Sequence, residues 1–392
     1  MSHSITGDEA PTRTARLRPV FTTPEPAHGP TLLSGKRSAE RSPLPRKRFD
    51  LALSEHPLPP LPSVQRALHA TIAGANRYPE FLPHRLPTLI ADHLGLAPDQ
   101  IVVGAGATGV ALQVMQALTR AGQTIVYAEP TFDGYPILAA MCGLEGVGVP
   151  LDVAGRQDLW AMLRAVGERT GLVAVCRPHN PTGTLIPGSE LKAFLFALPR
   201  RVPVLLDEAY VEFLGAAERI DPGTLLQRYP NLLILRTFSK AYGLAGLRIG
   251  YAIGRPELIA RVRRLQLPFG VPESAAVAVA ASYAAAHELA DRVLHITVER
   301  DHLRAALRRN GIPVPRSSGN FLYLPGRTVT ARLTAAGIAV KGYPDGSARI
   351  AVGDPDAGTA VITALEPPVQ MAALPSESDD TDSYSTSWFR SR

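Results

Sequence analysis

The feature that most constrains the fold is an alternation of short apolar runs with amphipathic stretches. Six runs rich in Val, Ile and Leu are candidate strands, at residues 101–104, 124–128, 172–176, 202–207, 232–236 and 249–253. Stretches between them, such as 109–120 and 190–198, have the spacing of helices. Strands that are apolar on both faces and separated by helices are typical of a parallel sheet covered on both sides. The pattern therefore predicts an α/β fold.

A chain of 392 residues is longer than one ordinary domain. We predict a large domain over 75–274 and a smaller α/β domain over 275–366 that begins with a long Ala-rich helix. The segment 49–74 is predicted to join the smaller domain. Proline, arginine and serine dominate residues 1–48, and acidic residues and serine dominate 367–392. Neither end shows helical or strand periodicity, so we predict two disordered arms.

The net charge of +6 does not by itself indicate a nucleic-acid partner. Nine Lys and Arg against four acids lie in residues 1–48, and a basic cluster in such an arm is usually solvated. The sequence shows no apolar run long enough to span a membrane and no secretory signal, so we expect no nucleic acid, no membrane and a cytoplasmic location. Cys142 and Cys176 have no metal-ligand spacing, which predicts neither a metal site nor a disulfide framework, and Cys176 is expected in a buried strand.

Polar groups collect directly after three of the predicted strands. In an open α/β sheet, ligands bind outside the carboxyl ends of the strands, so these groups are expected at one edge. They are Asn180 after the third run, Asp207 and Tyr210 after the fourth, and Thr237, Ser239, Lys240 and Arg248 after the fifth.

This set fits the parts of pyridoxal 5'-phosphate. A lysine is a useful nucleophile when its pKa is lowered or when it is stored as a Schiff base. Two hydroxyls and an arginine suit a phosphate dianion, and a buried carboxylate keeps a pyridine nitrogen protonated. Each residue alone is unremarkable, and the hypothesis depends on their joint occurrence.

Three motifs carry a family resemblance: NPTG at 180–183, DEAY at 207–210 and RTFSKAYGLAGLRIGY at 236–251. They resemble the type I fold of pyridoxal-phosphate enzymes, in the branch of histidinol-phosphate and aromatic amino-acid aminotransferases, and the resemblance extends over roughly 50–366. It implies a mostly parallel seven-stranded sheet between helices in the large domain. It also implies ping-pong transfer of an amino group between an aromatic or imidazole-type amino acid and a 2-oxo acid. A histidinol-phosphate aminotransferase and a phospho-amino-acid decarboxylase remain alternatives.

The resemblance also implies a role for each matching residue. Lys240 would bind the cofactor covalently and move the proton, with Asp207 on the pyridinium nitrogen. The other cofactor contacts would be Asn180 and Tyr210 at the ring oxygen, Phe132 stacked on the ring, and Thr237, Ser239, Arg248 and the backbone of Ala107 and Thr108 at the phosphate. Tyr78 would reach the phosphate of the partner subunit in a homodimer, and Arg349 would bind the substrate carboxylate.

The sequence departs from the branch in three places. Residues 54–57 read Ser-Glu-His-Pro, which leaves specificity open because this segment is expected near the substrate. Ala107 replaces a frequent serine, a change of little cost if the backbone binds the phosphate. Arg177 and His179 are unusual neighbours of Asn180, and we expect His179 to support the site rather than to act as a catalyst.

Two other classes compete with this interpretation. Residues 104–109 match G-x-G-x-x-G after a strand, and Glu129 follows 20 residues later, as in a dinucleotide site. That hypothesis leaves the three motifs unexplained. The other is a non-catalytic regulator whose basic arm binds DNA, which the presence of Lys240, Asp207 and Arg248 argues against.

Overall fold

The computed structural model of the chain describes residues 49–366, so the arms predicted at 1–48 and 367–392 lie outside the described residues. The strands are β1 (Phe49–Asp50), β2 (Ile101–Ala105), β3 (Thr124–Glu129), β4 (Glu145–Pro150), β5 (Thr170–Cys176), β6 (Val204–Asp207), β7 (Leu232–Thr237), β8 (Ile249–Gly254), β9 (Phe321–Leu324), β10 (Ile338–Ala339), β11 (Lys341–Gly342) and β12 (Ala348–Ala351).

The helices in the same range are α1 (Pro62–Thr71), α2 (Arg85–Leu94), α3 (Gly106–Leu118), α4 (Gly134–Met141), α5 (Leu159–Arg164), α6 (Gly188–Ala197), α7 (Pro222–Arg228), α8 (Pro256–Arg263), α9 (Glu273–Ala284), α10 (Ala286–Arg309), α11 (Val329–Ala335) and α12 (Pro355–Ala364). Across residues 49–366, no helix combines the length and the apolar character needed to cross a membrane.

The large sheet has seven strands in the order β2-β8-β7-β6-β5-β3-β4. Strands β3 to β7 run parallel, and β8 is antiparallel to both of its neighbours. The six predicted runs coincide with six of these strands, and the mostly parallel seven-stranded sheet is confirmed. The seventh strand, β4, lies at one edge and was not among the predicted runs.

Alternation along the strands builds a core on each face of this sheet. In β5, Val173 and Val175 point to one face while Leu172 and Ala174 point to the other. The first face is covered by α1, α2, α5, α6, α7 and α9, and the second by α3, α4 and α8. Because both faces are buried, the strands are apolar over most of their length, which is why they stand out in the sequence.

A third core lies among the C-terminal elements. Strands β11, β12 and β9 form a small antiparallel sheet, and β1 pairs in parallel with β10. The sheet is packed with α10, α11 and α12, whose buried residues include Leu303, Leu333 and Val361. Leu51, directly after β1, belongs to the same core, so the start of the described chain is tied to its end.

The Ala-rich helix predicted at the start of the C-terminal region is two helices. The chain leaves helical geometry at Ala285 (φ −100°, ψ 39°), between α9 and α10. Ala275 and Val279 of α9 pack in the first core of the large sheet, whereas Ile296 and Leu303 of α10 pack in the C-terminal core. Because of the break, the apolar face of α9 packs in one core and that of α10 in the other. The predicted domain bounds at residues 75 and 275 stay predictions.

Candidate active site

The carboxyl ends of β5, β6 and β7 lie side by side. Cys176 is in register with Asp207, and Asp207 with Leu235 of β7. The loops that follow these strands therefore start from the same edge of the sheet, as the sequence predicted. Cys176 itself is 2% exposed at the end of β5, which confirms its placement in a buried strand.

Lys240 lies three residues beyond β7, and its ammonium faces the first described segment of the chain. Nζ donates to the carbonyl oxygens of Leu53, at 3.3 Å, and Ser54, at 3.2 Å. Burial, and after it the positive charge of Arg349, lower the pKa of Lys240 to about 8. An amine with this pKa is partly unprotonated near neutral pH, so it can act as a nucleophile or as a base.

Asp207 ends β6 and is 9% exposed. One oxygen, Oδ2, accepts a hydrogen bond from the Tyr135 hydroxyl at 2.8 Å, and Oδ1 accepts from the Ala209 amide at 3.0 Å. Burial raises the pKa of Asp207, while the bonds from Tyr135 and Ala209 and the charge of Lys240 lower it. The two donors therefore offset part of the cost of an ionised carboxylate in this position.

Arg349 and Asn180 form a buried pair across the site. Nη1 of Arg349 donates to Oδ1 of Asn180 at 2.7 Å, and Nη2 donates to the Ala52 carbonyl at 2.7 Å. The guanidinium carbon lies 5.6 Å from the centre of the Phe321 ring. Nε has no hydrogen-bond partner within the described range 49–366. The pair joins the C-terminal sheet to the loop after β5, and the arginine retains a free N–H.

Tyr210 is buried next to this pair. Its ring packs edge-on against Phe321, with centroids 5.0 Å apart, and Lys240 Nζ lies 5.7 Å from the ring centre. Burial raises the pKa of the phenol to about 12, so the hydroxyl stays protonated and can donate a hydrogen bond at neutral pH.

The start of α3 meets β8 at very short range. A Cβ added at Gly250 would lie 2.2 Å from the Ala107 amide nitrogen, so only glycine permits this approach. Gly106 adopts φ +72°, and a Cβ there would lie 2.3 Å from Nη2 of Arg248. The guanidinium of Arg248 thus covers the first turn of α3, where Ala107 and Thr108 present backbone N–H groups. A helix N-terminus beside an arginine is a general anion-binding arrangement.

Two hydroxyls lie at the end of β7 and directly before Lys240. Thr237 and Ser239 are 4% and 9% exposed, and their hydroxyl oxygens are 2.9 Å apart. Thr237 is paired with Gly250 across β7 and β8, so this hydroxyl pair lies beside the strand that contacts α3. The structure therefore groups the predicted phosphate contacts on adjoining elements.

Phe132 and Tyr78 have different surroundings. Phe132, between β3 and α4, is partly buried and packs edge-on against Tyr135, with centroids 5.6 Å apart. Tyr78 is 84% exposed and its ring lies 4.8 Å from that of Phe269. Phe132 is thus linked through Tyr135 to Asp207, whereas Tyr78 faces solvent.

The unusual residues of the loop after β5 are structural. His179 is fully buried, with Nδ1 2.9 Å from the Thr182 hydroxyl, and burial lowers its pKa to about 3, which keeps the ring neutral. Arg177 is 1% exposed and donates to the carbonyls of Ile186 and Glu218. Both side chains hold the loop that positions Asn180.

Sequence reasoning missed the contacts that come from distant segments. Tyr135 follows Phe132 by three residues, but nothing local indicated that its hydroxyl reaches Asp207. The carbonyls around Ser54 carry no side-chain signal, although the departure at 54–57 had indicated a position near the substrate. Within residues 49–366, no group of three or more His, Cys, Asp or Glu is arranged to hold a metal.

The fold and the groups that follow β5, β6 and β7 define a transaminase. Residues 46–365 match the family described as aminotransferase class I and II, and the chain belongs to that family.

Relatives with established names agree with this assignment. The chain is 42% identical over 316 residues to an aromatic amino acid aminotransferase of Rhodococcus opacus (strain B4), covering 80% of this chain and 88% of the relative. It is 40% identical over 332 residues to the enzyme of that name from Streptomyces coelicolor, covering 84% and 92%. In three dimensions it is similar to histidinol-phosphate aminotransferase from Sinorhizobium meliloti in complex with pyridoxal-5'-phosphate (TM-score 0.77, 28% identity, 82% and 90% covered).

Proposed function

We propose that this chain is a cytoplasmic pyridoxal-phosphate aminotransferase that moves an amino group from an aromatic amino acid to a 2-oxo acid by a ping-pong mechanism. The observation that carries the proposal is the Arg349–Asn180 pair, 2.7 Å apart, in the site that also holds Lys240. A guanidinium with a free N–H binds a carboxylate in two-point fashion and holds it in place. A held carboxylate favours transamination over decarboxylation, in which that group must leave.

The residues fit pyridoxal phosphate at each of its functional groups. Asp207 is the buried carboxylate for the pyridinium nitrogen, and the first turn of α3 with Arg248 is the anion site for the phosphate. Lys240, whose pKa is lowered to about 8, is the amine for the aldehyde. When bound, this cofactor supplies an electron sink for the bond that breaks at the substrate Cα.

The protein's own groups then divide the work. Lys240 takes the proton from the substrate Cα and returns it, a role suited to an amine whose pKa lies near neutrality. Tyr210, kept protonated by burial, would donate a hydrogen bond to the ring oxygen together with the Asn180 amide. Phe132 would lie against the ring face, and the hydroxyls of Thr237 and Ser239 would hold the phosphate with the amides of Ala107 and Thr108.

Asp207 has to remain ionised although it is buried. Its two hydrogen bonds, from Tyr135 and from the Ala209 amide, favour the charged form. We infer that Tyr135 acts on the reaction through Asp207, as a positioning residue, because its hydroxyl sets the orientation and the charge of that carboxylate.

The substrate class follows from the relatives and from the walls of the site. Two relatives at 40–42% identity carry the name aromatic amino acid aminotransferase. Beside Arg349, Tyr323 and Tyr343 pack with their ring centres 5.6 Å apart, and Tyr323 is directly opposite Arg349 in the sheet. An aromatic donor bound by Arg349 through its carboxylate has these rings as neighbours.

We also propose a homodimer in which Tyr78 reaches the cofactor phosphate of the partner. Tyr78 belongs to an exposed aromatic cluster with Phe81 and Phe269, which are 60% and 43% exposed. Ile72 and Leu267 are also exposed, at 69% and 71%. Exposed large apolar side chains of this number are typical of an interaction surface.

A donor panel tests the function. The purified protein, loaded with pyridoxal phosphate, is given phenylalanine, tyrosine, tryptophan, alanine or histidinol phosphate with 2-oxoglutarate as acceptor. We expect the aromatic donors to have the highest kcat/KM. Borohydride reduction followed by peptide mass spectrometry should place the cofactor on Lys240, and Lys240→Ala should lose both the visible absorbance and turnover.

Arg349→Lys probes the carboxylate contact. A lysine cannot keep both the Asn180 contact and two-point binding of a carboxylate, so we expect kcat/KM for phenylalanine to fall about 100-fold, equivalent to about 2.7 kcal/mol, mainly through KM. The absorbance of the bound cofactor should stay unchanged. Histidinol phosphate reacting far faster than every aromatic donor would overturn the substrate assignment, and absence of an adduct on Lys240 would overturn the function.

A further inference from the structure

A row of three side chains crosses the small C-terminal sheet at the substrate end of the site. Lys341 of β11 is directly opposite Arg349 of β12, which is directly opposite Tyr323 of β9. Directly opposite residues of antiparallel strands project from the same face, about 5 Å apart at Cβ. Lys341 and Arg349 are therefore neighbouring cations on the face that carries the proposed carboxylate contact.

Asp133 neutralises one of these cations. Its Oδ2 lies 2.6 Å from Lys341 Nζ, which joins the segment between β3 and α4 to the small sheet. Like charges directly opposite each other in a sheet are destabilising, so an acidic partner is expected at this point. The side chains of Lys341 and Asp133 are 34% and 58% exposed, so solvent and substrate can reach the pair.

Asp133 is oriented towards Lys341 and not towards the backbone amides of its own helix. Asp133 is the N-cap residue of α4, and aspartate at an N-cap usually accepts a hydrogen bond from the second or third amide of the helix. Here the carboxylate makes no cap hydrogen bond and is turned to Lys341 instead.

The pair lies next to the aromatic wall. Lys341 Nζ is 5.7 Å from the centre of the Tyr343 ring, and that ring is 5.6 Å from the ring of Tyr323. The charges of Arg349 and Asp133 both affect the pKa of the partly buried Tyr343 phenol, so both groups lie near this ring. A donor held by Arg349 therefore comes close to the Asp133–Lys341 pair.

We propose that Asp133 is a specificity-determining residue: by pairing with Lys341 it leaves the substrate's acid group to Arg349, and so it favours donors with one carboxylate over donors with a phosphate. Without Asp133, Arg349 and Lys341 would form a two-cation clamp suited to a phosphate dianion. With Asp133 in place, the second negative charge of a phosphate dianion is repelled by the Asp133 carboxylate. This inference rests on the proposed function and refines its substrate class.

The test is a charge-removal cycle on the loaded enzyme. Asp133→Asn keeps the shape of the side chain and frees Lys341, and we expect the ratio of kcat/KM for histidinol phosphate to that for phenylalanine to rise about tenfold. In Asp133→Asn combined with Lys341→Gln the ratio should return to the wild-type value. Glu145→Gln, which removes the acid of the exposed Arg169–Glu145 pair (2.9 Å), is the matched control and should leave the ratio unchanged.

A binding measurement separates this inference from the proposed function. Calorimetry with two amine-free ligands, 2-phenylethyl phosphate and 3-phenylpropanoate, requires no turnover. Asp133→Asn should tighten the phosphate ligand about tenfold relative to the carboxylate ligand. An unchanged ratio, or an equal rise in the double variant, would overturn the role of Asp133 even if the enzyme transaminates aromatic donors. Failure of every donor in the wild type would instead overturn the proposed function.

Discussion

Replacing Tyr135 with phenylalanine tests how Asp207 is kept ionised. The substitution removes one oxygen atom, the donor of the 2.8 Å hydrogen bond to Asp207 Oδ2, and leaves the bond from the Ala209 amide at 3.0 Å. Tyr135 is fully buried, so water cannot easily replace the lost donor. A hydrogen bond to a charged group contributes about 1.5–3 kcal/mol, and one pKa unit corresponds to about 1.4 kcal/mol. The pKa of Asp207, already raised by burial, should therefore rise further.

The sign of the pH dependence follows from this shift. A carboxylate whose pKa is higher in the folded than in the unfolded protein binds more protons when folded, so stability is lost as pH rises from the unfolded value towards the folded one. Tyr135→Phe raises the folded pKa of Asp207 again and extends that loss to higher pH. The destabilisation relative to wild type should be small at pH 5 and reach about 1.5–3 kcal/mol at pH 8.

Urea unfolding of the cofactor-free protein at both pH values measures this difference. Tyr127→Phe is the matched control. Tyr127 is buried in the same core as Tyr135, and its substitution leaves the Tyr135 hydroxyl on Asp207 in place. The loaded Tyr135→Phe enzyme should also lose kcat, since a protonated Asp207 would no longer stabilise a pyridinium in the proposed site. A pH-independent destabilisation equal to that of Tyr127→Phe would refute the argument that Tyr135 acts through the charge of Asp207.

Two further substitutions probe the anion site and a buried acid. In Gly250→Ala the new Cβ would meet the Ala107 nitrogen at 2.2 Å, so cofactor affinity should fall at least 100-fold in an absorbance titration. Gly246→Ala, which has no neighbouring atom within 4 Å, should leave it unchanged, and equal effects would contradict the close-approach argument. Burial raises the pKa of Glu212 to about 7, so this group lowers stability as pH rises from about 4.5 through 7. Glu212→Gln should therefore stabilise the protein by about 3 kcal/mol at pH 8 and by little at pH 4 in urea unfolding, and a gain that does not depend on pH would contradict this.

The sequence predicted the large sheet well because burial on both faces makes each strand a continuous apolar run. It missed β4, whose residues include Gly146, Gly148 and Pro150 and which lies at the sheet edge with only Val149 buried. It also missed the break at Ala285, since no glycine or proline marks it. That break is a consequence of tertiary structure, because α9 and α10 pack in different cores.

The site also has a part that the sequence predicted and a part that it did not. Residues directly after parallel strands, such as Asp207 and Asn180, were predictable because topology brings strand ends together. Their partners come from far along the chain: Lys240 Nζ and the Leu53 carbonyl are 187 residues apart. Such contacts depend on how the C-terminal elements pack, and no local pattern encodes them. The Asp133–Lys341 pair belongs to this second group.

The glycine-rich turn at 104–109 shows why a local motif cannot identify a cofactor. The motif does produce what its chemistry requires, since α3 starts at Gly106 directly after β2 and so places a helix N-terminus at the end of that strand. In a dinucleotide site the acidic residue ends the strand adjacent to the first one. Here β3, which ends at Glu129, is five strand positions away from β2, about 24 Å at the usual spacing. The Glu129 carboxylate lies beside Gly148 of β4, near the opposite edge of the sheet. Glu129 and the glycine-rich turn therefore lie too far apart to bind the ribose and the pyrophosphate of one dinucleotide. It is the strand order that excludes this site, and the start of α3 remains available to the phosphate of the cofactor that Lys240 and Asp207 can hold.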